Sequence, residues 1–339
     1  MKSKKPTAKS IIFPSNHGGS AMIRKTVATQ YNSMKSLGII MKRYLLIIGT
    51  LFLLFGCSGV KINKAMLKMV VAASTRESKV PCYADSCRNI IGIPYVQDGT
   101  PAQVLDIYYA DDAIRKDAVL IDIHGGFYVG GNRKNNRPFA SVFLKEGYDV
   151  VLVEYRLNDG ILDVSDELSD CVAALDYLTV HAGELGIDMD RVFLTGDSAG
   201  GHLALYLAEM EFTPKAVLLN CPAYDFASFA DADAYTEETL AWFIGPRWED
   251  AQWRESMSPR THIGNYSDPL LVSTCTNDFI RGESLKLKAD CDSLGRALEF
   301  VDIQSEDKKV GHVHNVSDPD LPESRTVNAR MIKFMDRQL

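Results

Sequence analysis

Residues 191–201 read Arg-Val-Phe-Leu-Thr-Gly-Asp-Ser-Ala-Gly-Gly and run into His202-Leu-Ala-Leu. A short apolar run, a serine bracketed by glycines and a helical pattern follow one another without a spacer. The chain therefore passes from strand to helix in a turn too tight for side chains at positions 196 and 200. Such a turn holds the serine in a strained backbone conformation with its hydroxyl exposed. It also sets the Ala199 N–H at a helix start, where it can donate to developing negative charge. Ser198 is thus the candidate nucleophile and Ala199 a candidate oxyanion donor.

A turn of this kind needs a sheet around it, and the rest of the chain supplies one. From about residue 104, short apolar, β-branched runs alternate with longer helical stretches, and the spacing predicts strands over 104–109, 118–123, 149–155, 191–194, 215–220, 270–274 and 298–303. Leu168, Val172, Leu175 and Leu178 mark one helical face, and Leu203, Leu207 and Met210 another. A last helix is expected over 323–337. Strands that are apolar almost throughout, alternating with helices, predict an α/β fold with a mostly parallel sheet and helices on both faces. The stretch 222–269 breaks the rhythm and holds all three tryptophans, Trp242, Trp248 and Trp253. It is expected to be a small aromatic-rich cap that either covers a substrate site or packs as a satellite on the sheet edge.

The predicted strand 118–123 runs directly into His124-Gly125-Gly126-Phe127. Adjacent glycines after a core strand let backbone N–H groups approach a substrate carbonyl unobstructed, so Gly125 and Gly126 join Ala199 as a candidate three-donor oxyanion hole. His124 is expected to hold this loop by hydrogen bonds rather than to act as the base.

Taken in order, His124-Gly-Gly-Phe, Glu154-Tyr-Arg-Leu157 and Gly196-Asp-Ser-Ala-Gly-Gly201 resemble the hormone-sensitive-lipase-like, carboxylesterase branch of the α/β hydrolases, over about residues 90–339. The resemblance implies an α/β-hydrolase fold and chain order serine, acid, histidine. Phe127 stands where many such chains have a third glycine, as in relatives of the carboxylesterase and formamidase type. The acid is expected at the C-terminal end of a late strand, which selects Asp278 after 270–274. Two histidines follow, in Val310-Gly-His312-Val-His314-Asn. By the family pattern His312 is the base and His314 fills an aromatic position. A His-x-His pair can also bind metal, but no third ligand with suitable spacing is evident, so neither metal nor cofactor is expected.

The first 60 residues read as an address. Lys42 and Arg43 precede an apolar run from Tyr44 to Phe55 that ends at Gly56-Cys57-Ser58, the layout of a secretory signal. Twelve apolar residues are too few to span a bilayer of ~30 Å. Leu54-Phe55-Gly56-Cys57 resembles a bacterial lipobox, with Cys57 as the lipidated residue; ordinary secretion is the alternative. Residues 1–40 fit poorly upstream of a signal, so translation from Met41 is expected, residues 58–89 then forming a tether. Cys82 and Cys87 are close enough to close a small disulfide loop in an oxidising compartment.

Charge narrows the partners. Residues 1–43 carry nine basic and no acidic residues, leaving 28 basic against 44 acidic in the remainder, a balance of −16. An acidic body argues against nucleic acid. The expected partners are a small-molecule or glycan-linked ester substrate and, through a lipid anchor, a membrane surface of a bacterial cell envelope. Short acyl chains fit the lack of a large apolar lid. An amidase, formamidase or peptidase on the same triad stays open, as does a non-catalytic binding protein on a hydrolase fold. If Cys57 is lipidated, Cys57→Ser moves the protein from the membrane to the soluble fraction on fractionation; unchanged membrane partition would rule lipidation out.

Overall fold

The computed structural model describes residues 63–77, 81–231 and 235–339. The leader, the signal segment and Cys57 lie outside the described residues. Eight strands form one sheet: β1 (Asn89–Pro94), β2 (Val104–Tyr108), β3 (Val119–Ile123), β4 (Asp149–Val153), β5 (Val192–Asp197), β6 (Ala216–Asn220), β7 (Leu270–Cys275) and β8 (Leu298–Ile303). Their order is β1-β2-β4-β3-β5-β6-β7-β8. Strands β3 to β8 pair in parallel, while β1 and β2 are antiparallel additions at one edge. This is the mostly parallel sheet of the α/β-hydrolase fold. The seven strands read from the sequence are β2 to β8, each within three residues of the expected bounds. β1 was not anticipated. Its residues are mostly exposed and include Gly92 at φ +71, so no buried apolar run announces it.

The helices are α1 (Lys64–Thr75), α2 (Arg137–Leu144), α3 (Val164–Leu185), α4 (Ala199–Met210), α5 (Phe226–Asp231), α6 (Glu237–Phe243), α7 (Ala251–Ser256), α8 (Pro259–His262), α9 (Arg281–Ser293), α10 (His314–Ser317) and α11 (Pro322–Asp336). Because side chains alternate across a strand, each central strand feeds two cores. Ile121, Leu194 and Val217 face Leu168, Leu175, Leu178, Leu203 and Leu207 on one side. Leu120, Phe193 and Leu218 face Phe139, Phe143, Met331 and Phe334 on the other. Both expected helical faces therefore pack on the sheet, except that Met210, at the end of α4, is exposed.

The segment between β6 and β7 carries α5 to α8. Phe226 and Trp253 are buried there and meet edge to face at 5.8 Å, and Phe226 stacks on His202 of α4 at 5.3 Å and packs against Tyr128. The expected insertion thus rests on α4 and on the loop after β3. Cys82 and Cys87 carry free thiols, and Cys87 Sγ lies 3.5 Å from the Tyr83 carbonyl; the loop disulfide considered for this pair is not formed.

Phe193 is fully buried on β5, the strand that carries Ser198, and meets Tyr148 edge to face at 5.9 Å. Phe193→Ala is expected to lower unfolding free energy by about 3–5 kcal/mol, read from urea denaturation. A loss below about 1 kcal/mol would contradict this packing.

Candidate active site

Strand β5 ends at Asp197 and α4 begins at Ala199, so Ser198 is the single residue of the turn, at φ 54° and ψ −118°. That conformation is costly for a residue with a Cβ. Close packing and backbone hydrogen bonds hold it. The Ser198 N–H donates to the Asn220 carbonyl at 2.9 Å, and the Ser198 carbonyl accepts from Ala223 N–H at 3.1 Å. The expected need for glycine is met in detail. A Cβ on Gly196 would lie 2.2 Å from the Gly200 carbonyl oxygen, and one on Gly200 would lie 2.0 Å from the Ile123 carbonyl oxygen. The elbow is thus wedged against the end of β3.

The loop after β3 lies against the serine, since a Cβ on Gly125 would stand 3.0 Å from Ser198 Cβ. Its donors divide differently from the sequence expectation. Gly125 N–H is already engaged, donating to Asp197 Oδ1 at 3.1 Å. Gly126 N–H makes no hydrogen bond among the described residues, and Ala199, as the first residue of α4, has no intrahelical acceptor. Of the three expected donors, Gly125 N–H is thus bonded within the protein, while the N–H groups of Gly126 and Ala199 have no acceptor among the described residues. Gly126 sits at φ +142 with Gly130 packed against its Cα, so only glycine fits there. Phe127 and Tyr128 follow at φ 58° and 64°.

Two buried networks fix this loop, of which only the part played by His124 was foreseen. Asn136 donates to Asp122 Oδ2 at 2.8 Å and to Asp197 Oδ1 at 2.9 Å, tying β3, the elbow and the loop together. Burial, with Asp197 alongside, pushes the Asp122 carboxyl up to about 8, so it can remain protonated near neutrality. On the other side His124 lies 2.9 Å from the Gly125 carbonyl through Nδ1 and 3.0 Å from Glu154 Oε1 through Nε2. Arg133 bridges Glu154 and Asp106 at 3.1 and 3.0 Å. His124 thus holds the loop, as expected. Glu154 belongs to the quoted Glu-Tyr-Arg stretch, but nothing in its spacing identified its partner.

Asp278 and His312 are brought together across 34 positions. His312 Nδ1 and Asp278 Oδ1 are 2.7 Å apart, and the carboxylate also accepts from Thr274 Oγ1 at 2.8 Å and Ile280 N–H at 3.0 Å. Burial alone would raise Asp278, but the His312 imidazole and these bonds hold its carboxyl below the usual range. His312 Nε2 is buried without a hydrogen-bond partner among the described residues. The His312 ring leans on Phe279 at 4.3 Å, and Phe279 stacks on Phe127 at 5.8 Å. Cys221 sits beside them, its Sγ accepting from Val313 N–H at 3.3 Å. Cys221 lies between Asn220 and Ala223, the two residues bonded to Ser198, so the histidine loop ends next to the elbow.

His314 does not join His312. It is buried, with Nδ1 2.9 Å from Ser324 Oγ, and burial depresses it to about 4. The donor that stands with His312 and Asp278 is Cys221, with one ligand atom of each within 4.8 Å of the others.

Comparison with known proteins bears on the family and the fold. The BD-FAE family model matches residues 105–282, more than half of the chain. Lipase 2 of Moraxella sp. (strain TA144) is 34% identical over 99 residues, which is 29% of this chain and 23% of that protein. Ethyl acetate hydrolase of Pseudomonas putida is 28% identical over 54% of this chain and 58% of that protein. The chain spans less than two thirds of the length of these relatives. Among solved structures, the inhibited esterase B from Lactobacillus rhamnosis superposes with a TM-score of 0.67 at 26% identity, covering 81% of this chain and 92% of that one.

Burial gives His314 a defined pH signature. The unfolded imidazole titrates near ~6.5, whereas the native one is held at about 4. Above ~6.5 both states are neutral and the group contributes no pH dependence. As pH falls through that value the unfolded chain takes up a proton that the native site refuses, so stability drops until the native group titrates near 4. In thermal melts, the stability advantage of the wild type over His314→Gln should shrink as pH falls from about 7 to about 4.5. A constant difference would mean that His314 is not held neutral.

Proposed function

The chain belongs to the BD-FAE family of the α/β-hydrolase fold, and on that footing we propose that it is a carboxylic ester hydrolase working through Ser198, Asp278 and His312. What supports this reading is a strained serine in a strand-to-helix turn, a histidine bonded to a buried carboxylate through Nδ1, and N–H groups at Gly126 and Ala199 without a partner among the described residues. His312, with Nε2 unpartnered, takes the Ser198 proton as Oγ attacks the ester carbonyl. Asp278 holds the ring in the tautomer that leaves Nε2 free to accept and stabilises the imidazolium that forms. Gly126 and Ala199 donate to the tetrahedral oxyanion, each donor contributing about 2.7–4 kcal/mol of transition-state stabilisation. His312 then returns the proton to the leaving alcohol, and water repeats the sequence on the acyl-enzyme.

Short acyl chains are the favoured substrates, because Phe127 and Phe279 stack face to face beside His312 and narrow the approach. The similarity to a Pseudomonas putida protein named ethyl acetate hydrolase supports the same choice. Lipid-anchored export through Cys57 remains part of the proposal, since the lipobox resemblance supports it. An amidase would use the same residues, and p-nitrophenyl esters from acetate to decanoate separate the readings. The purified full chain is expected to hydrolyse acetate or butyrate fastest. Ser198→Ala and His312→Ala should each abolish turnover with the fold intact, Asp278→Asn should lower kcat by about 10⁴-fold, and His314→Gln should be much milder. Activity retained in Ser198→Ala, or lost only in His314→Gln, would overturn the assignment; turnover of anilides but of no ester would favour the amidase.

A further inference from the structure

We propose that Cys221, Asp278 and His312 form a binding site for a thiophilic divalent cation, such as zinc or cadmium, and that its occupation reversibly switches hydrolysis off. One donor atom from each residue lies within 4.8 Å of the other two. Bonds of ~2.0–2.3 Å to a tetrahedral ion place its ligands about 3.4–3.7 Å apart, so a contraction of about an ångström gathers all three around one centre. Cys221 and Asp278 are both buried, at 1% and 6% exposure, and a thiolate with a carboxylate would neutralise a doubly charged ion there. A sulfur donor selects zinc or cadmium over magnesium or calcium, which favour all-oxygen sites.

The chemistry of binding explains the loss of activity. Cys221 releases its thiol proton to solvent as the ion enters. The ion takes His312 Nδ1, which otherwise faces Asp278, and the single proton of the neutral ring moves from Nδ1 to Nε2. An Nε2 that carries a proton cannot accept one from Ser198, so the base is disabled while the fold is unchanged. One ion enters, one proton leaves, and chelation reverses both. The inhibitory effect rests on the reading of His312 as the base, whereas cation binding does not.

The test separates these two. Cadmium chloride is titrated into the full-length Cys82→Ser/Cys87→Ser protein, which lacks the two half-buried thiols, and the thiolate-to-cadmium charge-transfer band is followed in the ultraviolet. A band saturating at one equivalent, and absent after a further Cys221→Ala change, supports the site. No band, or a band that survives Cys221→Ala, overturns it. In the ester assay, zinc should inhibit with recovery on adding EDTA, and Cys221→Ala should raise the half-inhibitory zinc concentration at least about tenfold. Equal inhibition of both proteins would overturn the switch. If Cys221→Ala does not fold, Cys221→Ser keeps the volume but offers no thiolate band. If no ester is turned over at all, the hydrolase reading fails, and the cadmium band still decides the cation site.

Discussion

Everything in this site depends on how closely the end of β3 approaches the start of α4. Gly200 sits so near the Ile123 carbonyl that a Cβ there would reach 2.0 Å, and a Cβ on Gly125 would stand 2.4 Å from the Asp197 carbonyl oxygen and 3.0 Å from Ser198 Cβ. The approach is possible because β3 and β5 are parallel neighbours in register, Ile123 opposite Gly196. Two strand ends at the same height deliver one loop with a free backbone N–H at Gly126 and one turn that holds Ser198. Catalysis by preorganised dipoles requires such placement before the substrate arrives.

Fixing the two loops costs buried polar groups, and the structure satisfies most of them in pairs. Asn136 is central, since one amide serves both Asp122 and Asp197 while Gly125 N–H serves Asp197 as well. The same carboxylate that anchors the loop after β3 therefore engages the Gly125 N–H. On the opposite flank, Arg133, Glu154 and His124 form a charged chain from the sheet to the loop backbone. A half-satisfied network of this kind would be worse than an apolar core, so its members work as a unit.

The histidine loop follows a different logic. Its two histidines are two residues apart in the chain, yet they point to different surroundings: His312 to Asp278 and Phe279, His314 to Ser324. Val313 between them has φ 50°, and this left-handed residue turns the chain from the site into α10. The turn also sets Val313 N–H on Cys221 and so brings a thiol within reach of Asp278 and His312.

Much of this protein was legible in the sequence because the relevant signals are local. The glycine-bracketed serine between a strand and a helix, the glycine pair after 118–123 and the alternation that gives β2 to β8 each follow from backbone sterics and side-chain period, which act over a few residues, whereas Asp278 was singled out by the chain order that the family resemblance implies. The exposed edge strand β1 lacked a hydrophobic period and so left no trace. What only the tertiary structure decided depends on contacts between distant segments: that Gly125 spends its N–H on Asp197, that Asn136 joins two buried acids, that Glu154 answers His124, and that Cys221 rather than His314 stands with Asp278 and His312. A donor's partner is chosen by which groups packing brings within about 3 Å. Spacing along the chain carries no record of that choice.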